Sequence, residues 1–91
     1  MRIDHHAQSQ GGRFEGHAEG GSCELDYLLA AGVVTFTHTG VPTALQGRGL
    51  AAELVVAGLQ WAQAQGHKVV PACSYVEAYI RRHPQWQSML A

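Results

Sequence analysis

Charged side chains make up only 14% of this 91-residue sequence. No apolar run approaches the roughly eighteen residues of a membrane-spanning helix. The polar start Met1-Arg2-Ile3-Asp4-His5-His6 lacks the apolar stretch of a secretory signal, which predicts a cytoplasmic protein. Cysteine is scarce as well: Cys23 and Cys73 stand alone, without Cys-x-x-Cys spacing, and read as free thiols rather than a disulfide framework. Six histidines are present, but none forms a His-x-x-x-His pair, so no metal is expected. Residues 40–91 hold four basic side chains, Arg48, Lys68, Arg81 and Arg82, against two acids. That is enough to neutralise a phosphate-bearing ligand and too few for a nucleic-acid surface. The 46% apolar content is sufficient for one compact domain over residues 1–91.

Glycine punctuates the first forty positions at Gly11-Gly12, Gly20-Gly21 and Gly32, and the runs between are rich in β-type residues. They predict an antiparallel meander with strands over Phe14–Glu19, Cys23–Leu29 and Val33–Thr39, and a shorter one over Ile3–Ala7. In the last strand, strict alternation would turn Val34, Phe36 and His38 one way and Val33, Thr35, Thr37 and Thr39 the other. Pro42 ends that run, and the period then changes from two to 3.6. Ala51, Leu54, Val55, Gly58, Leu59 and Ala62 make one apolar helix face, so a helix is predicted from Gly49 to Gln65 with Gly66 as its C-cap. Gly58 would cost about 1 kcal/mol relative to Ala inside a helix, which points to close packing on the sheet. Lys68–Pro71 reads as a short buried strand. Ser74 is placed to cap a second helix holding Tyr75, Val76, Tyr79 and Ile80, which His83-Pro84 stops. Strand, helix, strand, helix after a meander predicts an α+β fold with one parallel strand pair.

Between the fourth strand and the long helix lies Gln46-Gly47-Arg48-Gly49-Leu50-Ala51. Two glycines let the backbone approach an anion closely, and the first N–H groups of the helix have no intrahelical partner. With the positive end of the helix dipole they predict a phosphate site.

This hexapeptide, together with Phe36-Thr37-His38-Thr39, Val41-Pro42, Lys68-Val69-Val70-Pro71-Ala72-Cys73-Ser74-Tyr75 and Tyr79-Ile80-Arg81-Arg82-His83-Pro84, resembles the short YjdJ-type branch of the GNAT N-acetyltransferases. The resemblance spans nearly the whole chain. It implies a GNAT-like mixed sheet with a splayed parallel pair, and acetyl-coenzyme A as donor. The coenzyme's pyrophosphate would rest on the N–H groups of Gly47 to Ala51, with Gln46 in the same loop. Its pantetheine arm would lie beside Phe36 to Val41, pairing like an added strand. Cys73, Ser74, Tyr79 and Arg82 complete the expected coenzyme contacts. Tyr79 aligns with the tyrosine that many members use to protonate the leaving thiolate, a role a positioned phenol suits. Cys73 either accepts the acetyl group covalently or lines the pocket. Direct attack by the amine is favoured, because no base partner for the thiol is evident. His38 is the candidate base for the incoming ammonium or a structural histidine.

Two departures from fuller relatives bear on the acceptor. The chain is too short for the two helices that larger members insert to enclose it, and Gly40 stands where branch members often carry an acid. A primary amine, from a metabolite or a protein lysine, is the expected acceptor. A non-catalytic coenzyme A binding or sensing domain is the rival. No nucleic-acid or membrane partner is expected, and the assembly is expected to be a monomer or a weak homodimer through edge strands.

Overall fold

In the computed structural model, which describes residues 1–91, four consecutive strands form the antiparallel meander: β1 (Arg2–Gln8), β2 (Gly11–Ala18), β3 (Gly21–Ala30) and β4 (Val33–Gly40). After a 3-10 turn at Thr43–Leu45 come helix α1 (Leu50–Ala64), strand β5 (Lys68–Pro71), helix α2 (Ser74–Arg82) and a final 3-10 segment, Pro84–Met89. The sheet order is β1-β2-β3-β4-β5, with β5 parallel to β4. This is the predicted α+β architecture. The first strand is longer than Ile3–Ala7 because all seven of its residues find partners on β2. No helix is long and apolar enough to cross a membrane.

α1 lies across one face of the sheet. It buries Leu50, Leu54, Val55, Leu59 and Ala62 against Phe14, Leu25, Val34, Phe36 and Val69 in a single core of sixteen residues, and Gly58 is buried with them. The reason for Gly58 is visible here: an ideal Cβ at that position would stand 3.0 Å from both Leu25 Cδ2 and Phe36 Cε1. At the helix end Gly66 takes φ +74°, His67 N–H bonds to Ala62 O at 2.9 Å, and Gly66 N–H bonds to Gln63 O at 3.1 Å. That double bond pattern is a Schellman motif, which only a residue tolerant of left-handed φ enters cheaply.

The opposite sheet face carries no helix and is lined by charge. Residues directly across from one another share a face. Arg2, Asp4 and His6 therefore line up with His17, Glu15 and Arg13, and these with Ser22, Glu24 and Asp26. Arg13 grips Asp26 through two bonds of 2.6 and 3.1 Å, and His17 reaches Asp4 at 3.2 Å and Glu15 at 3.0 Å.

Strict alternation fails in β4. Tyr27 pairs with Phe36 but Asp26 pairs with His38, so Thr37 is an extra, bulged residue. Past the bulge every side chain changes face. His38 does not follow Val34 and Phe36 inward; it joins Glu24 and Asp26 on the open face, while Thr39 turns inward opposite Leu25.

Candidate functional site

The glycine loop has the geometry its sequence predicts. Gly47 and Gly49 sit at φ +82° and +74°, and no atom lies within 4 Å of a Cβ built on either. Backbone conformation, not crowding, makes them glycine: any other L residue pays about 1–2 kcal/mol in that region. Gly49 is the N-cap of α1 and supplies no side-chain bond. Across the loop the backbone bonds are Leu45 N to Pro42 O, Gln46 N to Thr43 O and Glu53 N to Gly49 O. The N–H groups of residues 47–52 are thus six consecutive donors without an intramolecular partner.

These donors border a cleft of about 560 Å³. Thr39, Gly40 and Val41 line it from the end of β4, Leu45, Gln46, Gly47 and Gly49 from the loop, Leu50 and Ala51 from α1, and Tyr75 from α2. Gln46 braces the loop by donating from Nε2 to Val41 O at 3.2 Å. Of the predicted phosphate loop only Arg48 points elsewhere, its guanidinium donating to Glu19 O at 3.1 Å on the β2–β3 turn. Volume, mixed lining and unsatisfied donors suit a small anionic ligand.

One wall of the cleft is an open strand edge. β5 follows β4 only as far as Phe36 opposite Pro71, and Cys73 N–H closes the pair on Phe36 O at 2.9 Å. The chain then turns into α2, while β4 continues through Thr37–Gly40 bonded to β3 alone. Cys73 stands at the apex of this splay, half-buried, with Sγ 3.5 Å from Thr39 Oγ1. It also takes the N-cap position of α2 predicted for Ser74; Ser74 is instead the exposed first helical residue. Burial alone would push the Cys73 thiol up. The contact with the Thr39 hydroxyl and the nearby backbone N–H groups of Val76, Tyr75 and Thr39 outweigh it, and the thiol titrates below its ordinary value of 9.0.

Tyr79 and Arg82 lie in a second, adjoining groove of about 340 Å³ between α1 and α2, with Ala52, Ala78 and His83. Tyr79 stacks on His83 at 3.9 Å between ring centroids, and His83 donates from Nδ1 to Tyr79 O at 2.8 Å. Tyr75 is shared by both hollows. Burial and the neighbouring Tyr79 push its phenol above the usual 10.0, against a smaller lowering by Arg82. Sequence reasoning passed over Tyr75, although its spacing of four from Tyr79 sets the two on one helix face. His38 is separated from all of these by the bulge, and its Nε2 lies 3.2 Å from Glu24 Oε2 on the open face. The structure thus gathers Val41, Gln46, Gly47, Gly49, Leu50 and Ala51 around one cleft and sets Cys73 at its strand apex. Tyr79 with Arg82 lies on one side and His38 on the other.

Comparison with known proteins agrees with this architecture. The family model described as GCN5-related N-acetyl-transferase matches residues 13–89, and the chain belongs to that family. Its sequence is similar to Protein NATD1 of chicken, mouse and human, each 35% identical over 52 residues, or 57% of this chain. The match covers 47% of the chicken and mouse proteins and 46% of the human one, about half the length of those relatives. The fold resembles the solution structure of a GCN5-like protein from Staphylococcus aureus, with a TM-score of 0.71 at 21% identity. That superposition covers 97% of this chain and 87% of the other.

Proposed function

We propose that this chain binds acetyl-coenzyme A in the cleft at the end of β4 and transfers its acetyl group to a primary amine. The observation that carries the reading is the run of six unpartnered N–H groups at residues 47–52, set beside an unpaired β4 edge. The donors match a diphosphate, and the edge offers a pantetheine amide the bonds of an added strand. When bound, the coenzyme supplies an activated acyl group. Gly47 to Ala51 would hold its diphosphate, Val41 and Gln46 its arm, and Arg82 with Ser74 the more distal phosphate.

The remaining chemistry falls to this chain's side chains. The acceptor nitrogen attacks the acyl carbon directly. Cys73 positions the acyl end through its contact with Thr39 rather than carrying the acyl group, since no base side chain adjoins its sulfur. Tyr79 is assigned the proton given to the departing thiolate, with His38 as acceptor-side base.

A coenzyme A binding or sensing domain is the second reading, favoured by the uncovered sheet face on the acceptor side. Calorimetry with acetyl-coenzyme A, paired with a thiol-release assay over a panel of primary amines, separates the two. The expected outcome is binding with amine-dependent thiol release. Gly49→Glu should weaken binding about a hundredfold, ~2.7 kcal/mol, because it sets a carboxylate beside the diphosphate. Unchanged affinity in that variant overturns the site; binding without transfer to any amine favours the sensing domain.

A further inference from the structure

On the open face, directly over the rim of the cleft, one ion pair differs from its neighbours. Glu24 of β3 lies opposite Gly40 of β4 in the register, and its Oε2 meets His38 Nε2 at 3.2 Å. Asp26 is neutralised by Arg13, and Glu15 is approached by His6 and His17, which leaves Glu24 with His38 as its ion-pair partner. Gly40 makes room for the pair. An ideal Cβ there would lie 2.5 Å from Glu24 Oε2, 2.9 Å from the carboxyl carbon and 3.1 Å from His38 Nε2. Its φ is not in the left-handed region, so the backbone does not demand glycine; a Cβ there would instead push the Glu24 carboxylate away from His38. The same Gly40 lines the cleft on its other side. Only a glycine peptide therefore separates the pair from the cavity assigned to the acyl donor.

We propose that Glu24 and His38 are the acceptor-side pair of this site, and that they select a cationic primary alkylamine. The inference rests on the amine-transfer reading above. A carboxylate only accepts hydrogen bonds, so His38 Nε2 carries the hydrogen given to Glu24, and in the neutral ring Nδ1 has a free lone pair. The ammonium R–NH₃⁺ gives one proton to His38 Nδ1, and Glu24 offsets the resulting imidazolium charge. The freed nitrogen lone pair forms the C–N bond, the C–S bond breaks, and its electron pair stays on sulfur. Tyr79 gives its proton to that sulfur and is restored by a second proton from nitrogen, and His38 releases its proton to water. Ammonium plus thioester thus gives amide, thiol and one proton. His38 would touch the acceptor, while Glu24 acts as an attracting and positioning residue. As an exposed ion pair alone the contact would contribute next to nothing to stability.

Steady-state kinetics with n-butylamine, a cation at neutral pH, and hydroxylamine, which is neutral there, test the pair in the full chain. Glu24→Gln should lower kcat/KM for butylamine about tenfold, less than loss of a base itself because His38 remains. Hydroxylamine should change by less than about threefold, and the KM for acetyl-coenzyme A should stay as it was. Glu24→Asp should recover part of the loss. Gly40→Ala displaces only a flexible carboxylate end, so it should fold; it should lower butylamine turnover in the native background, and by a smaller factor in the Glu24→Gln background. Equal losses on both acceptors, or retained butylamine kcat/KM in Glu24→Gln, overturn the pair alone. If the native chain binds acetyl-coenzyme A yet acetylates neither acceptor, the amine-transfer reading falls and the pair with it.

Discussion

The two ends of α1 are built on opposite terms. Around its last turns, Trp61 meets His5 at 4.8 Å, Tyr27 at 5.0 Å, His67 at 5.5 Å and Phe14 at 5.8 Å between ring centroids. The chain leaves this end through the Gly66 motif, so the carbonyls of Trp61, Ala62 and Gln63 are satisfied by the protein itself. The loop and first turn together have no side-chain cap, six unpartnered N–H groups and a cleft walled by exposed Tyr75. One helix on one sheet thus divides the work: contacts that stabilise collect at its C-terminal end, and unsatisfied donors wait at the other. Donors left to water cost little while exposed, and they become an asset only when a ligand takes them.

The division is broken most forcefully at the aromatic end. Phe14 is 3% exposed and stacks on His5 at 4.0 Å. Phe14→Ala should cost about 3–5 kcal/mol, a large share of a small domain's stability. Urea unfolding measures that loss, and acetyl-coenzyme A affinity of the folded fraction should be unchanged. An affinity that falls along with stability would show the two ends to be one coupled unit.

At the other end the sharper question is which phenol acts. Tyr79 has the assigned role, but Tyr75 is the one lining the larger cleft. Tyr79→Phe should lower kcat about a hundredfold with little change in thermal midpoint, whereas Tyr75→Phe should act on the KM for acetyl-coenzyme A. Steady-state kinetics on the two variants decides it, and the reverse pattern moves the proton donor one turn toward the cleft.

Much of this division is legible in the sequence, because it depends on local periodicity. The period-two runs, the 3.6-period face of α1 and the Gln46 to Ala51 loop each declare themselves within a dozen residues, and the structure places all of them. The bulge at Thr37 does not, since Thr-His-Thr alternates equally well with either face inward, and one inserted residue decides which. The partnership of Glu24 with His38 was equally hidden: it depends on the register of β3 against β4, fourteen residues apart in sequence. The cap at Cys73 rather than Ser74 is a one-residue shift of the kind that helix ends routinely show. Arg48 reads as a phosphate ligand by charge, but its length lets it reach the Glu19 carbonyl on another turn.

The smallest effect tests whether the aromatic end is as closed as its geometry implies. His5 lies on the edge strand, yet its ring stacks on Phe14 and its Nε2 meets the Tyr27 hydroxyl at 2.6 Å. Burial against these groups, with His6 adding like charge, lowers its titration below 6.5. The folded protein then binds fewer protons at this site than the unfolded chain between the lowered value and 6.5. Stability must therefore rise with pH through that window: the contribution is fully present above 6.5 and is lost as pH falls toward the folded value. His5→Gln removes the titration, so the difference in unfolding free energy between the native chain and this variant should shrink on acidification from neutral pH. A difference independent of pH would mean that the His5 ring is hydrated as freely in the fold as in the unfolded chain. The aromatic end would then be open like the loop end, and the contrast along α1 would rest on Phe14, Tyr27 and Trp61 alone.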